Sequence, residues 1–158
     1  MNPGQPVELL YRAARREETP HLVGMLIADA LGQGRERLAD PLPPSYYAAY
    51  DAINADPNQE LMVAEHRDSI VALMQISYIP GLTYEGGWRA QIEGVRVAES
   101  MRGQGVGHRF LEWAVERARS RGCRLVQLTS DKQRSDALRF YESLGFVASH
   151  EGFKLHLG

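Results

Sequence analysis

Apolar residues recur along this chain with two spacings, and each spacing predicts a different element. Apolar residues three or four positions apart predict amphipathic helices, whereas short apolar or alternating runs predict strands. The predicted helices cover residues 21–31, 45–55, a long segment that follows a glycine turn and runs to 121, and 135–144. The predicted strands cover residues 7–13, 60–66, 70–78, 92–97, 124–129, 146–149 and 153–157.

The order of these elements is β-α-α-β-β-β-α-β-α-β-β. A strand, a long helix and a second strand in the middle of the chain predict one right-handed parallel crossover inside a largely antiparallel sheet. The expected fold is therefore α/β in the α+β sense, with a mixed sheet and helices on both faces. The length of 158 residues, and the lack of a repeat or an interdomain linker, predict one domain over residues 1–158.

The segment 91–121 contains a strand, a glycine-rich turn and the start of the long helix. Glycines permit backbone conformations that a Cβ would block, and the first amides of a helix have no intrahelical partner. Such a turn binds anions, most often phosphate. The dinucleotide fingerprint would require a glycine in place of His108, and the P-loop would require Gly-Lys-Ser/Thr, so neither pattern fits. A tight turn with incidental glycines is the alternative.

The turn carries the pattern Arg-x-x-Gly-x-Gly, formed by Arg102, Gly105 and Gly107. This pattern resembles the pyrophosphate-binding loop of the GNAT-type acyl-CoA N-acyltransferases. A second motif of that family is similar to residues 140–146, which read F-Y-E-S-L-G-F. The element order also resembles the GNAT fold, so that the resemblance covers nearly the whole chain.

The resemblance implies a site for acetyl-CoA, used as a co-substrate. The backbone of the strand before the turn is expected to pair with the pantetheine arm, and the amides of the turn are expected to hold the pyrophosphate. Arg102 either contacts phosphate through its side chain or lies in solvent. Many members carry an asparagine where this chain has Arg134, so either Arg134 or neighbouring Ser135 is expected to supply that contact. The expected cofactor-binding residues are Val95, Arg96, Val97, Arg102, Gly103, Gln104, Gly105, Val106, Gly107, Arg134 and Ser135.

Acyl transfer to an amine requires a base that deprotonates the amine and an acid that protonates the departing thiolate. Glu93 lies two residues before Val95, where GNAT enzymes often place a glutamate, and it is the candidate base. Tyr141 is the candidate acid. Glu93 could instead pair with a neighbouring arginine, and Tyr141 could be a hydrogen-bonding helix aromatic.

The acceptor is expected to lie between the 79–88 loop and the second helix, where aromatic and acidic residues would suit a cationic amine. Ordinary core or surface positions are the alternative for each of them. The residues are Tyr46, Tyr47, Tyr50, Asp51, Tyr78, Tyr84, Glu85 and Trp88.

Composition and charge narrow the expected partners. The net charge of −2 gives no attraction to nucleic acid or to an anionic membrane, and no apolar run is long enough to span a bilayer. The single Cys123 and the absence of a signal-peptide pattern predict a cytoplasmic protein in which Cys123 has a packing role. The five histidines have no metal-ligand spacing, so no metal is expected. The family resemblance adds a homodimer as one expectation.

Three functions are candidates for a chain with these motifs. The favoured one is an N-acetyltransferase that moves an acetyl group from acetyl-CoA to a primary amine by direct attack. The second is a catalytically silent acyl-CoA-binding sensor or regulatory module. A nucleotide-dependent oxidoreductase is disfavoured by the missing third glycine.

Overall fold

A computed structural model describes residues 4–29 and 32–158. The chain divides into two compact units, residues 1–127 and residues 128–158. The first unit contains most of the sheet. The second unit begins at Leu128, the last residue of the strand Leu125–Leu128, and contains the helix Ser135–Ser143.

Five strands form one sheet in the order β1-β2-β3-β4-β5. The first four strands pair in antiparallel fashion, and β5 lies parallel to β4 at the edge. The predicted mixed sheet with one parallel crossover is thus confirmed. The strands are β1 Leu10–Ala13, β2 Gln59–His66, β3 Ser69–Ile79, β4 Arg89–Val97 and β5 Leu125–Leu128.

Helices cover both faces of this sheet. On one face, Leu22 of α1 packs with Val63 and Leu73 of the sheet, and Tyr50 of α2 contacts the same cluster. On the opposite face, Phe110 of α4 stacks on Tyr11, with the ring centroids 5.5 Å apart. The helices of the first unit are α1 Thr19–Ile27, α2 Pro44–Ala55, the short turn α3 Thr83–Gly86 and α4 Val106–Ser120.

The predicted elements agree with the observed ones over most of the first unit. The main differences are at the ends: β1 begins at Leu10 rather than at residue 7, and α1 ends at Ile27. The last two residues of the predicted first helix, Ala30 and Leu31, lie outside the described residues. In the parts of the chain that the structure describes, no helix is long and apolar enough to cross a membrane.

The second unit is built on α5, Ser135–Ser143, and on the turn that ends it. Phe146 N donates to the carbonyl of Tyr141 at 3.1 Å, and Gly145 N donates to the carbonyl of Glu142 at 3.0 Å. Gly145 has φ +92°. This is a Schellman motif, in which a left-handed glycine satisfies the last carbonyls of a helix. The residues that carry the second family motif therefore form the C-terminal cap of α5.

The two predicted strands over 146–149 and 153–157 are wrong, because residues 146–158 form no strand in this structure. The apolar side chains of residues 153–157 alternate as the prediction requires, but Phe153, Leu155 and Leu157 are 93%, 86% and 95% exposed. Alternation produces a strand only where a second strand supplies hydrogen bonds and a surface to bury. Residues 146–158 have neither a paired strand nor a buried apolar face.

Candidate active site

A bulge interrupts the central strand β4 next to the candidate base. Glu93 lies opposite Gln75 and Arg96 lies opposite Leu73, so three steps along β4 correspond to two steps along β3. Gly94 supplies the extra residue with φ +63°, a conformation that glycine adopts at low cost. Because Leu73 and Gln75 share one face of β3, the bulge brings Glu93 and Arg96 onto the same face of the sheet. A lone glycine inside a strand pattern is the sequence signal for such a bulge.

Glu93 is exposed and is held by its neighbours on that face. Gln91 Nε2 donates to Glu93 Oε1 at 2.6 Å. Gln127 Nε2 on β5 donates to Gln91 Oε1 at 2.9 Å. Glu93 Oε1 is thus held by Gln91, which Gln127 holds in turn, and within the described part of the chain no arginine pairs with this carboxylate. Among the described residues, no side chain hydrogen-bonds to its second oxygen.

Arg96 contacts the bulge and the end of α1 at the same time. Arg96 Nη1 donates to the carbonyl of Val95 at 2.8 Å, and Arg96 Nη2 lies 3.1 Å from Asp29 Oδ2. The two side chains are only 14% and 18% exposed. The family resemblance implies a role for the backbone of Arg96 only, and no sequence motif includes Asp29. No spacing rule links residues this far apart in the chain.

The predicted anion-binding turn has an open geometry. Gly103 and Gly105 both have φ +77°, and α4 begins directly afterwards at Val106. Among the side chains that the structure describes, none caps the start of α4, so the first amides of the helix are available to a ligand. A Cβ placed at Gly103 or Gly105 would meet nothing within 4 Å, which means that these glycines are required for their backbone conformation.

These features fit the pyrophosphate of an acyl-CoA. Unpaired helix N-terminal amides and the positive end of the helix dipole bind anions, and Arg102 is exposed beside them. Gln104 stabilises the turn from within, since its Nε2 donates to the carbonyl of Ser100 at 3.2 Å. Val106 is 1% exposed and anchors the helix start in the core. Gly107 lies in the first turn of α4.

The other end of α4 is fixed by a cluster of charged residues. Arg117 Nε lies 2.9 and 2.8 Å from the two carboxylate oxygens of Glu60 on β2. Tyr78 of β3 donates its hydroxyl to Glu60 Oε1 at 2.5 Å, and the guanidinium carbon of Arg121 lies 3.8 Å from the centre of the Tyr78 ring. The cluster therefore joins α4 to two strands.

Burial and the partner residues shift the pKa values in this cluster. Burial raises the pKa of the Glu60 carboxyl, but hydrogen bonds from Arg117 and Tyr78, with the charges of Arg117 and Arg121, outweigh it, so the pKa lies below its ordinary value. Burial, followed by the hydrogen bond to Glu60, raises the pKa of Tyr78 far above the usual range of a phenol. Tyr78 is 3% exposed. It is thus a core residue, as the alternative in the sequence analysis had it.

The remaining aromatic residues expected near the acceptor differ in their surroundings. The hydroxyl of Tyr50 donates to the carbonyl of Ala14 at 2.8 Å, and that of Tyr46 donates to Glu36 at 3.1 Å. Tyr47 lies under the guanidinium of Arg16, which pairs with Asp51 at 2.9 Å. In the loop after β3, Tyr84 and Glu85 have φ values of +54° and +59°, and Tyr84 and Trp88 are accessible.

A cavity of about 520 Å³ lies between the start of α1, the segment before α2, and α2 itself. Its lining is mostly apolar, with Asp40 as the one charged residue. Tyr47 is the sole member of the expected acceptor wall in it, and Glu93 does not line it. The lining residues are Pro20, Leu38, Ala39, Asp40, Pro41, Leu42 and Tyr47.

Three of the predicted site residues lie in the second unit. Ser135 is the first residue of α5, and Arg134 N donates to the carbonyl of Asp131 at 3.0 Å. Tyr141 packs edge-on against Phe140 and Phe146, at centroid distances of 5.2 and 6.0 Å. The pairing of Tyr141 with Glu93 as acid and base stays a prediction.

The remaining candidates for chemistry are the thiol of Cys123 and groups of side chains that could hold a metal ion. Cys123 is partly buried before β5, and burial raises the pKa of its thiol, which disfavours the reactive thiolate. Within residues 4–29 and 32–158, no group of three or more His, Cys, Asp or Glu side chains is arranged to hold a metal ion.

Comparison with known proteins places this geometry in a family. The chain is 33% identical over 98 residues to the aminoalkylphosphonate N-acetyltransferase of Salmonella typhimurium, and the matched stretch spans 62% of this chain and 63% of that protein. A crystal structure described as a transcriptional regulator from Bacillus halodurans C-125 is 52% identical with a TM-score of 0.92, covering 95% of this chain and all of that one.

A third similar protein is a putative acetyltransferase from Agrobacterium tumefaciens, 28% identical with a TM-score of 0.82. That structure covers 93% of this chain, and this chain covers 99% of it. The model of the acetyltransferase (GNAT) family matches residues 25–146, well over half of the sequence. The chain therefore belongs to the GNAT acetyltransferase family.

Proposed function

We propose that this protein is an N-acetyltransferase that transfers an acetyl group from acetyl-CoA to a primary amine. Glu93 acts as the general base, directly or through water, and Tyr141 acts as the general acid. The observation that carries the proposal is the arrangement along one strand. An accessible carboxylate precedes a glycine bulge on β4, and the same strand leads into the uncapped start of α4.

The binding part of the proposal rests on the backbone. The bulge leaves Val95 out of regular pairing with β3, so its peptide groups can pair with the pantetheine arm. The amides of residues 103–107 hold the pyrophosphate, with Arg102 adding a charge-assisted contact. Arg134 or Ser135 supplies the additional polar contact to the co-substrate.

The chemical part assigns one proton transfer to each side chain. A primary amine with a pKa near 10.4 arrives protonated at neutral pH, and Glu93 removes that proton. The amine nitrogen then bonds to the acetyl carbonyl carbon, and the bond from that carbon to sulfur breaks. Tyr141 donates its phenolic proton to the departing thiolate, and the tyrosinate recovers a proton from the second N–H proton that the attacking nitrogen loses on becoming an amide. The products are the N-acetyl amine and CoA.

Primary amines are chosen as acceptors for two reasons. Glu93 is exposed and only one of its carboxylate oxygens is held by Gln91, and a carboxylate attracts an ammonium group. The relative from Salmonella typhimurium is, by its name, an N-acetyltransferase of an aminoalkyl compound.

A second candidate is a catalytically silent acyl-CoA-binding regulatory module. It is favoured by one observation, that the similar protein with 52% identity is described as a transcriptional regulator. Such a module would bind acetyl-CoA through the same turn and strand but would not use Glu93 chemically.

The test is CoA release, followed with a thiol reagent, for the wild-type protein and acetyl-CoA with a panel of amines. The panel contains polyamines, amino acids, amino sugars, aminoalkylphosphonates and peptides. Amine-dependent release supports the acetyltransferase. Tight calorimetric binding of acetyl-CoA without release for any amine supports the regulatory module, and absence of binding contradicts both.

A further inference from the structure

A row of uncharged polar side chains continues from Glu93 across one face of the sheet. We call this set of residues the glutamine row. It consists of Gln127 on β5, Gln91 on β4, Gln75 and Ser77 on β3, and Gln59 on β2. Strand pairing puts these residues next to one another, because Gln59 lies opposite Ser77, Ser77 opposite Gln91, and Gln75 opposite Glu93. The row lies on the sheet face that also packs against α1 and α2, since Gln75 and Leu73 share that face.

Hydrogen bonds hold the amides of the row, Gln59, Gln75 and Gln127 at one end and Gln91 at both ends. Gln59 Oε1 accepts from Gln75 Nε2 at 3.0 Å and from the hydroxyl of Ser77 at 2.8 Å. On the other side, Gln127 Nε2 donates to Gln91 Oε1, whose own amide donates to Glu93. The row is thus preorganised before any ligand arrives.

The opposite ends of these groups remain available. Among the described residues, no side chain hydrogen-bonds to the Oε1 atoms of Gln75 and Gln127 or to Glu93 Oε2. All members of the row are partly exposed and Glu93 is exposed, so a ligand can reach them. The available ends are mainly acceptors, and they call for a ligand that offers several N–H or O–H donors.

Charge separates the ligand classes further. The five residues of the glutamine row are uncharged, and the adjoining Glu93 carries a negative charge. On the same face, Arg96 is in an ion pair with Asp29. Arg89 is the first residue of β4, and its guanidinium lies beside Gly81. A phosphonate or carboxylate would bring a second negative charge toward Glu93 and would offer acceptors to a row of acceptors. Hydroxyl groups can both donate to the free oxygens and accept from the Gln59 amide.

We infer that the glutamine row is the acceptor-binding surface and that its substrate is a primary amine flanked by hydroxyl groups, such as an amino sugar. The inference rests on the proposed acetyltransferase function and specifies its acceptor. The ammonium group lies at Glu93, and the hydroxyl groups hydrogen-bond along the row. Gln75 and Ser77 are specificity-determining residues because they contact the part of the acceptor that does not react.

The experiment compares D-glucosamine with 2-aminoethylphosphonate and with propylamine, an amine that has no polar group to fit the row. We expect the wild type to have a kcat/KM for D-glucosamine at least about tenfold higher than for either other amine, as expected from the loss of one or two hydrogen bonds. In the variants Gln75→Met and Ser77→Ala, we expect the KM for D-glucosamine to rise about fivefold, while kcat, the KM for propylamine and the Kd for acetyl-CoA stay unchanged.

The matched control is Ser69→Ala, which removes a hydroxyl from the other end of the same strand. It is expected to leave kcat, the KM for each amine and the Kd for acetyl-CoA unchanged. A higher kcat/KM for 2-aminoethylphosphonate or propylamine, or an unchanged KM in both row variants, overturns the inference while the acetyltransferase proposal stands. Failure of the wild type to bind acetyl-CoA in calorimetry overturns the proposed function itself. The acetyl-CoA Kd therefore separates the two failures.

Discussion

Arg96 and Asp29 form a partly buried ion pair, 3.1 Å between nitrogen and oxygen. Asp29 lies two residues beyond the end of α1, so the pair joins the central strand to the segment that follows this helix. The same guanidinium also donates to the carbonyl of Val95 in the bulge. The Arg96 side chain thus orients a peptide group that the proposed function assigns to acyl-CoA binding. The planar guanidinium can make both contacts at once, whereas an ammonium group has a different geometry.

The first prediction concerns Arg96→Lys. We expect the acetyl-CoA Kd to increase about fivefold to tenfold, equivalent to about 1 to 1.4 kcal/mol, because the carbonyl of Val95 loses its fixed orientation. Isothermal titration calorimetry measures this change. Asp29→Asn is expected to have a smaller effect in the same direction.

The control for this prediction is Arg12→Lys. Arg12 has a similarly small exposed fraction and pairs with Glu18 and Glu65 at 2.7 and 2.6 Å, away from the bulge. The Arg12→Lys variant is expected to have a lower free energy of unfolding and an unchanged Kd for acetyl-CoA. If both variants leave the Kd equal to that of the wild type, Arg96 has no part in binding.

The second prediction concerns the left-handed glycine at the start of α4. Gly105→Ala places a Cβ at φ +77°, which costs about 1 kcal/mol of stability and reorients the first amides of the helix. We expect the melting temperature to fall and the acetyl-CoA Kd to increase about tenfold.

Gly122→Ala is the matched variant, because Gly122 has φ +79° just beyond the other end of α4. It is expected to lose a similar amount of stability and to keep the wild-type Kd. Equal affinities for the two variants would mean that the turn at Gly105 does not hold the co-substrate.

The third prediction follows from the lowered pKa of Glu60. The folded protein binds the Glu60 proton more weakly than the unfolded chain does, so the carboxylate stabilises the fold at pH values above its unfolded pKa, about 4.3. This stabilisation is lost as the pH falls below that value through the folded pKa. We expect Glu60→Gln to lower the free energy of unfolding at pH 7 and to flatten its decline below pH 5.

Urea unfolding at a series of pH values measures this dependence. Glu116→Gln is the control, since Glu116 pairs with Arg119 on the exposed side of α4, with both side chains about two-thirds exposed. It is expected to match the wild type at every pH. A Glu60→Gln profile parallel to that of the wild type would contradict the role given to the cluster.

Much of the fold can be predicted from the sequence because its signals are local. The apolar spacing that leads to Phe110 and Leu111, and the glycines before Val106, identify α4 and the turn without any knowledge of tertiary contacts. Gly145 similarly marks the end of α5, where the structure has a Schellman motif.

The parts that could not be predicted depend on contacts between distant residues. The alternation of Phe153, Leu155 and Leu157 predicts a strand, but a strand requires a partner that local pattern does not reveal. The same holds for the pair of Arg96 with Asp29 and for the glutamine row, whose members come from four strands. Their side chains carry no motif, and strand register alone brings them together.

The central claim is that Glu93 is the base of an acetyl transfer from acetyl-CoA to a primary amine. Steady-state CoA release by Glu93→Gln, with the acetyl-CoA Kd measured on the same sample and Glu17→Gln as an exposed control, tests it most directly. We predict that kcat falls about 100-fold in Glu93→Gln, within the usual contribution of a general base, while its Kd for acetyl-CoA matches that of the wild type. In Glu17→Gln, both kcat and the Kd for acetyl-CoA are expected to match the wild type. A Glu93→Gln protein that turns over amines as fast as the wild type would contradict the claim.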